Sequence, residues 1–255
     1  MGHPSRWVAR SAVALLVVTI AARAVAQGLP PAALSELHYK VVLVAGDRSA
    51  LAFDHATAAM RERLLERGVA PDDLRMLSAN PKVEAQNGTR SSSLDHVLAA
   101  IEHLRPASGQ GCLVFATSHG AHDTGLALMS SRNFLTPKAL DAALIAGCGD
   151  APTVAIISGC YSGAFAGPPM ARANRIILTA AAEDRPSFGC GVGFEYTVYD
   201  RCLLMAIDRA GTWRSAYAMI RTCVATQERE LAFPASLPQA FFGTAVAETP
   251  VPRRR

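Results

Sequence analysis

The sequence predicts an α/β fold in which helices cover both faces of a mostly parallel sheet. Short apolar runs that end at glycine or a small polar residue alternate along the chain with segments of helical periodicity. Strands covered on both faces read as continuous apolar runs, and a β-α-β order favours parallel pairing. Of the 255 residues, 50% are hydrophobic and 18% are charged, which is typical of a single globular domain.

The strand predictions depend on the apolar runs. The first run, residues 40–46, is continuous and ends at a glycine, as expected of a strand that is buried on both faces. A short ribbon is expected over residues 126–130, and the polar segment 80–91, which contains Asn87-Gly88, is expected to be a loop. The five predicted strands of the main sheet cover residues 40–46, 74–77, 112–117, 154–158 and 175–179.

The helix predictions depend on start signals. Asp54 is expected to cap the first helix. Ser92 and Asp95 form an S-x-x-D pattern, which predicts the start of a second helix. Thr136 followed by Pro137 predicts the start of a third. Two further helices are predicted over residues 196–210 and 212–228.

The N-terminal residues are typical of a secretory signal. Two arginines precede an apolar stretch over residues 12–22, and an A-x-A cleavage site follows at 24–26. The alternative is that this stretch is a buried first helix of the mature fold. We expect a signal peptide over 1–26 and a single domain over 27–255 with a short arginine-rich C-terminal tail. The protein is therefore expected to be periplasmic or secreted, with no stable membrane anchor.

Charge argues against a polyanionic partner. The chain has 25 Lys and Arg against 21 Asp and Glu, and removal of Arg6, Arg10 and Arg23 with the signal leaves 22 against 21. Nucleic-acid binding needs a clustered basic face that displaces counterions, and the sequence shows none. Nucleic acid is therefore not an expected partner.

Six cysteines lie at positions 112, 148, 160, 190, 202 and 223, without C-x-x-C or C-x-x-H spacing, so no metal site is predicted. Cys112 and Cys148 precede neighbouring parallel strands, and their Cα atoms could reach the ~5.5–6 Å separation of a disulfide. The alternative is a pair of buried free thiols. Cys190, Cys202 and Cys223 leave one odd thiol whichever way they pair.

Two chemically capable side chains follow predicted strands. His119 comes after the third strand, and Cys160 comes after the fourth, between Gly159 and Gly163. Reactive groups of open α/β sheets gather at the carboxyl ends of strands, and small neighbours give a substrate carbonyl access to a nucleophile. A nearby imidazole can transfer the proton that acyl transfer requires. The alternative is a buried structural cysteine and an ordinary loop histidine.

These segments carry a family resemblance. Ser118-His119-Gly120 and the segment 158–163 resemble the caspase-like clan of cysteine peptidases, and within it the chain resembles the legumain, or C13, family, as a bacterial-type exported member. Residues 41–46, 179–181 and 187–190 extend the resemblance, which runs from about Lys40 to Gly243. It implies a caspase-like three-layer αβα sandwich.

The resemblance also implies a mechanism. Cys160 would attack the peptide carbonyl, His119 would protonate the leaving amine, and the backbone N–H groups of Gly120 and Cys160 would hold the oxyanion. No metal or organic cofactor is needed. Extended peptide or protein substrate would pair with the segment near Ser187 by β-augmentation.

The sequence departs from the family pattern at three places. Ser118 stands where legumains have an acidic residue before the catalytic histidine, and Ser158 stands two residues before the nucleophile, where the family has glutamate. The asparagine that would orient the histidine aligns with Ala52. No third catalytic residue is therefore predicted.

Substrate preference is assigned to two charged residues by alignment with the family. Asp54 stands where the family has a pocket arginine, and Arg185 stands at an acidic position. An amide side chain could donate to Asp54 and accept from Arg185, which favours Asn over Asp before the scissile bond, and the order reverses if Asp54 is turned away. The alternative is that Asp54 only caps its helix and Arg185 is solvent-exposed.

Three functions are considered: a cysteine endopeptidase that acts through an acyl-enzyme, a transamidase or transpeptidase that shares the dyad, and a catalytically silent peptidase-like binding protein. Retention of both His119 and Cys160 favours the first. The physiological substrate and the oligomeric state are left open.

Overall fold

The structure is a computed structural model that describes residues 1–2, 34 and 37–252. Apart from its first two residues, the predicted signal peptide lies outside this set, as does the arginine-rich end at 253–255. Within the described ranges, no helix is both long and apolar enough to cross a membrane.

A seven-stranded sheet forms the centre of the molecule. Its spatial order is β10-β9-β8-β4-β1-β2-β3, and every pair is parallel except β10 with β9. Its strands are β1 (His38–Ala45), β2 (Leu74–Ser78), β3 (Arg90–Ser91), β4 (Gln110–Thr117), β8 (Thr153–Ser158), β9 (Arg175–Thr179) and β10 (Gln239–Phe242). Strands β1 and β4 pair along their whole length, from His38 opposite Gln110 to Ala45 opposite Thr117.

A second, three-stranded antiparallel sheet follows β4. It consists of β5 (Gly120–Ala121), β6 (Gly125–Leu128) and β7 (Asn133–Leu135), in that order. The predicted ribbon over 126–130 corresponds to its middle strand. The N–H of Ala127 donates to the carbonyl of His119 at 2.8 Å, so this small sheet holds the segment that follows β4.

The helices lie in two layers, one on each face of the main sheet. They are α1 (Leu51–Glu66), α2 (Pro81–Asn87), α3 (Leu94–Glu102), α4 (Pro137–Cys148), α5 (Val198–Arg209) and α6 (Trp213–Glu230). Helices α1, α5 and α6 pack with one face, and α3 and α4 pack with the other. The predicted three-layer αβα fold is confirmed.

Successive side chains of β1 explain why the strand sequences are continuously apolar. Val41 and Leu43 lie in the core beneath α1, α5 and α6, whereas Val42 and Val44 lie in the core beneath α3 and α4. All four are fully buried. A strand between two helical layers has no polar face, so its sequence does not alternate.

Two predicted helix starts are wrong. The N-cap of α1 is Ala50, without a side-chain cap, and Asp54 lies buried within the first turn. Helix α3 is capped by Ser93, whose Oγ accepts the N–H of His96 at 3.4 Å. Ser92 is buried and donates to the carbonyl of Ala45 at 2.9 Å, so long-range packing takes the hydroxyl that the local pattern assigned to the cap.

The predicted loop over 80–91 is also wrong in part, because it contains α2 and β3. Asn80 caps α2 by accepting the N–H of Lys82 at 3.1 Å, Pro81 occupies the first turn, and Gly88 ends the helix at a φ of 62°. The antiparallel edge strand β10 was not predicted either.

Two disulfides are present. The predicted Cys112–Cys148 bridge is confirmed, with Cα atoms 6.2 Å apart, and it joins the start of β4 to the end of α4. A second bridge, Cys202–Cys223, joins α5 to α6. Cys160 and Cys190 remain free thiols.

Candidate active site

The structure brings His119 and Cys160 to one edge of the sheet. Strands β4 and β8 are neighbours, and their last residues, Thr117 and Ser158, lie opposite each other. The N–H of Ser118 donates to the carbonyl of Ser158 at 3.0 Å, which continues the pairing beyond the strands. The histidine and the cysteine then follow at equivalent positions, two residues beyond this last pair.

Glycine makes the close approach of the two segments possible. A Cβ on Gly120 would overlap the carbonyl oxygen of Cys160. A Cβ on Gly159 would lie 2.8 Å from the carbonyl oxygen of Ser118 and 2.5 Å from a methyl group of Leu126. Both glycines are therefore required by contact between the two segments.

Three polar groups of Ser187 lie close to the Cys160 thiol. Its N–H donates to Sγ at 3.3 Å, its carbonyl oxygen lies 3.5 Å from Sγ, and its hydroxyl lies 3.8 Å away. Cys160 is half-buried, so the sulfur remains accessible beside these groups. Ser187, predicted to contact substrate, thus lies at the reacting atom.

The His119 imidazole has a different set of neighbours. Its Nε2 lies 3.2 Å from Ser49 Oγ, and its Nδ1 lies 4.0 Å from Cys190 Sγ. Phe53 contacts the ring edge-on, with centroids 5.3 Å apart. In the described part of the chain no hydrogen bond joins the imidazole to Cys160 Sγ, as is common in unliganded sites whose contacts tighten on substrate binding.

Ser49 is the functional residue that sequence reasoning missed. Its own N–H donates to Asp47 Oδ1 at 2.7 Å, which fixes the turn after β1. Ala52, where the family pattern places an asparagine, is buried within α1. The only sequence feature that indicated a role for Ser49 was its place among small polar residues directly after the first strand.

The sequence model of the peptidase C13 family matches residues 103–241, which is more than half of the chain and includes both strand ends. The chain belongs to the peptidase C13 family. No curated protein matches it. Membership confirms the legumain-like resemblance. The family implies cysteine peptidase or transamidase activity. The match begins after Ser49 and Asp54, so it does not include the turn that contacts His119.

The two residues predicted to set specificity in this C13 family member lie in different surroundings. Asp54 is buried and accepts hydrogen bonds from Ser78 Oγ at 2.6 Å and from Asn80 Nδ2 at 3.3 Å. Arg185 has a side chain that is 41% exposed, and its Nη1 donates to the carbonyl of Ala235. Among the described residues, no hydrogen bond or ion pair joins Asp54 to Arg185.

The backbone of Arg185 is bonded to the residue that follows Cys160. Its carbonyl accepts the N–H of Tyr161 at 2.8 Å, and Tyr161 has a left-handed φ of 59°. The next residue, Ser162, is buried and accepts the N–H groups of Ala180 and Ala181 at 3.0 and 3.2 Å. The turn that carries the cysteine of the C13 site is therefore fixed by a backbone bond at Tyr161 and by the side-chain hydroxyl of Ser162.

One buried carboxylate reaches the ends of both site strands. Asp200, on α5, is fully buried, and its Oδ2 accepts from Thr117 Oγ1 at 2.7 Å. Burial raises the pKa of Asp200 to about 6, although hydrogen bonds from Ser158, Thr117 and Thr197 act in the opposite direction. Asp200 therefore contacts the strand ends that precede His119 and Cys160.

Among the described residues, no group of three or more His, Cys, Asp or Glu side chains is placed so that it could hold a metal ion.

Proposed function

We propose that the protein is a cysteine endopeptidase in which Cys160 is the nucleophile and His119 the acid-base residue. The observation that carries the proposal is the placement of both residues beyond the paired ends of β4 and β8, in segments whose contact only glycine permits. A site for binding alone would not need a thiol and an imidazole at equivalent positions beyond two paired strand ends.

The choice between the two free thiols supports Cys160. Burial raises the pKa of the Cys190 thiol, and the Coulombic effect of nearby Cys160 raises it further. A thiol is nucleophilic as the thiolate, so Cys190 is the poorer nucleophile. An iodoacetamide-type reagent should therefore label Cys160 before Cys190.

The reaction proceeds by acyl transfer. Cys160 gives its thiol proton to His119 and its Sγ attacks the peptide carbonyl carbon, while the N–H groups of Gly120 and Cys160 donate to the oxyanion. Because Nε2 of His119 is engaged by Ser49, Nδ1 is the nitrogen that gives its proton to the leaving amine. The same nitrogen then accepts a proton from the water that releases the acyl group.

Specificity is proposed to centre on Arg185. Asp54 uses its carboxylate oxygens on Ser78 and Asn80, so its repulsion of an acidic substrate side chain is reduced. The partly exposed guanidinium of Arg185, whose Nε lies 3.9 Å from the exposed Asp184 carboxylate, remains, and it favours a carboxylate over an amide. The preference before the scissile bond is therefore Asp over Asn, the reverse of the order expected when Asp54 contacts the substrate.

Export is part of the proposal. Two disulfides are typical of proteins that fold outside the cytosol. They support a periplasmic or secreted location, in agreement with the signal predicted over residues 1–26.

A peptide-library digest tests the activity. Purified protein is incubated with the library, and new N-termini are identified, with Cys160→Ala as the control. Cleavage that the control lacks supports an endopeptidase, and identical products from both proteins contradict it. Added peptide with a free N-terminal amine distinguishes hydrolysis from transfer, because a transamidase would join it to the new C-termini in preference to water, whereas a hydrolase would leave mainly free carboxylates.

Arg185→Glu tests the specificity separately. We expect the preference for Asp to be lost while total cleavage of the library continues. An unchanged preference would show that Arg185 does not line the pocket.

A further inference from the structure

The main sheet has an open edge at β2. Strand β3 pairs only with Leu77 and Ser78, through Arg90 and Ser91. The preceding residues of β2, 74–76, pair with β1 on one side, and within the described ranges no strand pairs with them on the other. Their outward backbone N–H and C=O groups can therefore accept an additional strand.

Two helices form walls on either side of this edge. Helix α1 contributes Ala58 from one layer, and α3 contributes Ala99 and Ala100 from the other. Because these side chains are small, the space between the walls is a cleft of about 750 Å³ with β2 at its base. We call this space the edge cleft.

The edge cleft is basic. Arg61, Arg75 and Arg90 line it, and none of the three forms an ion pair with a described residue. Glu62 is the acidic residue of the lining. His96 and His103 add positive charge when they are protonated.

A further polar group in the cleft has no partner. Thr89 Oγ1 is buried and makes no hydrogen bond within the described part of the chain. Thr89 directly precedes β3, where the paired part of the edge ends. This hydroxyl is shielded from solvent, so the cleft keeps one unsatisfied polar group where the paired edge ends.

We propose that the edge cleft binds an extended acidic peptide segment of another protein, which adds as a strand beside β2. The free backbone edge would supply main-chain hydrogen bonds, and the three arginines would select acidic side chains. The two helical walls limit the occupant to a single extended chain. A second helix or a folded domain would not reach the backbone of residues 74–76.

This cleft is separate from the proposed catalytic centre. Strand β1 lies between β2 and β4, and β8 lies one strand further away. A segment bound at β2 would therefore lie on the far side of β1 from the thiol. It would tether a protein to the molecule without entering the site.

The test uses a short fluorescent peptide of alternating glutamate and valine, with fluorescence anisotropy as the readout. The full chain carrying Cys160→Ala is used, so that the probe is not cut. We expect saturable binding that weakens at least tenfold in Arg75→Glu and in Ala58→Trp, which fills the cleft from an exposed helix position. Arg229→Glu on α6 makes the same change of charge outside the cleft, and it should bind as the parent does.

Two further probes separate strand addition from simple charge attraction. A peptide of the same sequence with alternate backbone nitrogens methylated keeps its charge but cannot pair fully, and we expect its binding to be lost. A lysine–valine peptide should not bind. Absence of binding by the glutamate–valine probe, or equal binding of its methylated form, would overturn the proposal.

Discussion

The two halves of the active site are held by different means. The segment of Cys160 is fixed by a backbone bond from the N–H of Tyr161 to the carbonyl of Arg185 and by the buried Ser162 Oγ, which accepts the N–H groups of Ala180 and Ala181. The ring of His119, in contrast, is contacted by side chains: Ser49 Oγ at Nε2, the more distant Cys190 Sγ at Nδ1, and Phe53 edge-on.

This difference separates two kinds of sensitivity. A cysteine whose segment is held by a backbone bond and by one buried hydroxyl keeps its position when the exposed side chains around it change, and it moves only when the backbone or Ser162 is displaced. An imidazole that is held by side chains is adjusted by each of them. We therefore expect large effects from changes to the Cys160 segment and small ones from changes around His119.

The largest effect is expected for the reacting atoms themselves. Cys160→Ala removes the nucleophile and His119→Ala removes the proton donor, and each should lower kcat/KM for a cleaved peptide by about a thousandfold or more. Thermal unfolding of both variants should match the parent, because neither side chain is a major part of the core. Parent-like activity in Cys160→Ala would contradict the assignment.

Gly120→Ala tests the contact between the two halves. The added methyl overlaps the carbonyl oxygen of Cys160, so the two segments must move apart. We expect kcat/KM to fall about a hundredfold, with a lower Tm. Gly211→Ala is the matched control, because a Cβ there has no atom within 4 Å, and it should leave both quantities near the parent values.

The next prediction concerns Asp200, the buried carboxylate at the ends of both site strands. Its pKa is about 6 in the folded protein, above the ordinary 3.8, so between these values the folded state binds more protons than the unfolded state. The contribution of Asp200 to stability is therefore present at low pH and is lost as pH rises through about 6, with a total loss of about 3 kcal/mol.

The measurement is the free energy of unfolding in urea at pH values from 4 to 7, for the parent and for Asp200→Asn. The free energy of unfolding of the parent, relative to that of Asp200→Asn, should fall as pH rises from 4 to about 6, because Asn does not titrate. A difference that is constant across this range would show that the carboxyl of Asp200 does not titrate there.

The smallest effect is expected for Ser49→Ala. Loss of one hydrogen bond to Nε2 leaves Phe53 and Cys190 in contact with the ring, so kcat should fall roughly three- to tenfold with little change in KM or Tm. Ser49→Thr keeps the hydroxyl and should restore most of the rate. A loss as large as that of His119→Ala would show that the imidazole depends on Ser49 alone.

The sequence predicted the parts of this site that depend on strand ends. Buried parallel strands are recognisable as continuous apolar runs, and His119 and Cys160 directly follow two of them. The turn after β1 was less accessible, because Ser49 meets His119 across 70 residues and only packing brings them together.

The errors in the fold have a common physical cause. Helix α1 begins at Leu51 without a side-chain cap, so the capping preference of Asp54 misplaced its start, and the carboxylate instead bonds Ser78 and Asn80. Helix α2 and strand β3 are short and polar, so they lack the apolar periodicity that predicts longer elements. The helix-capping preference of a polar side chain failed to predict the helix start where that side chain bonds a residue distant in the sequence.

The Cys112–Cys148 bridge has a consequence for handling the protein. Both of its cysteines are buried, whereas the Cys160 thiol is accessible. A mild reductant that keeps the nucleophile active should therefore reach Cys160 well before this bridge. Assay buffers can contain such a reductant while the bridge that staples β4 to α4 stays closed.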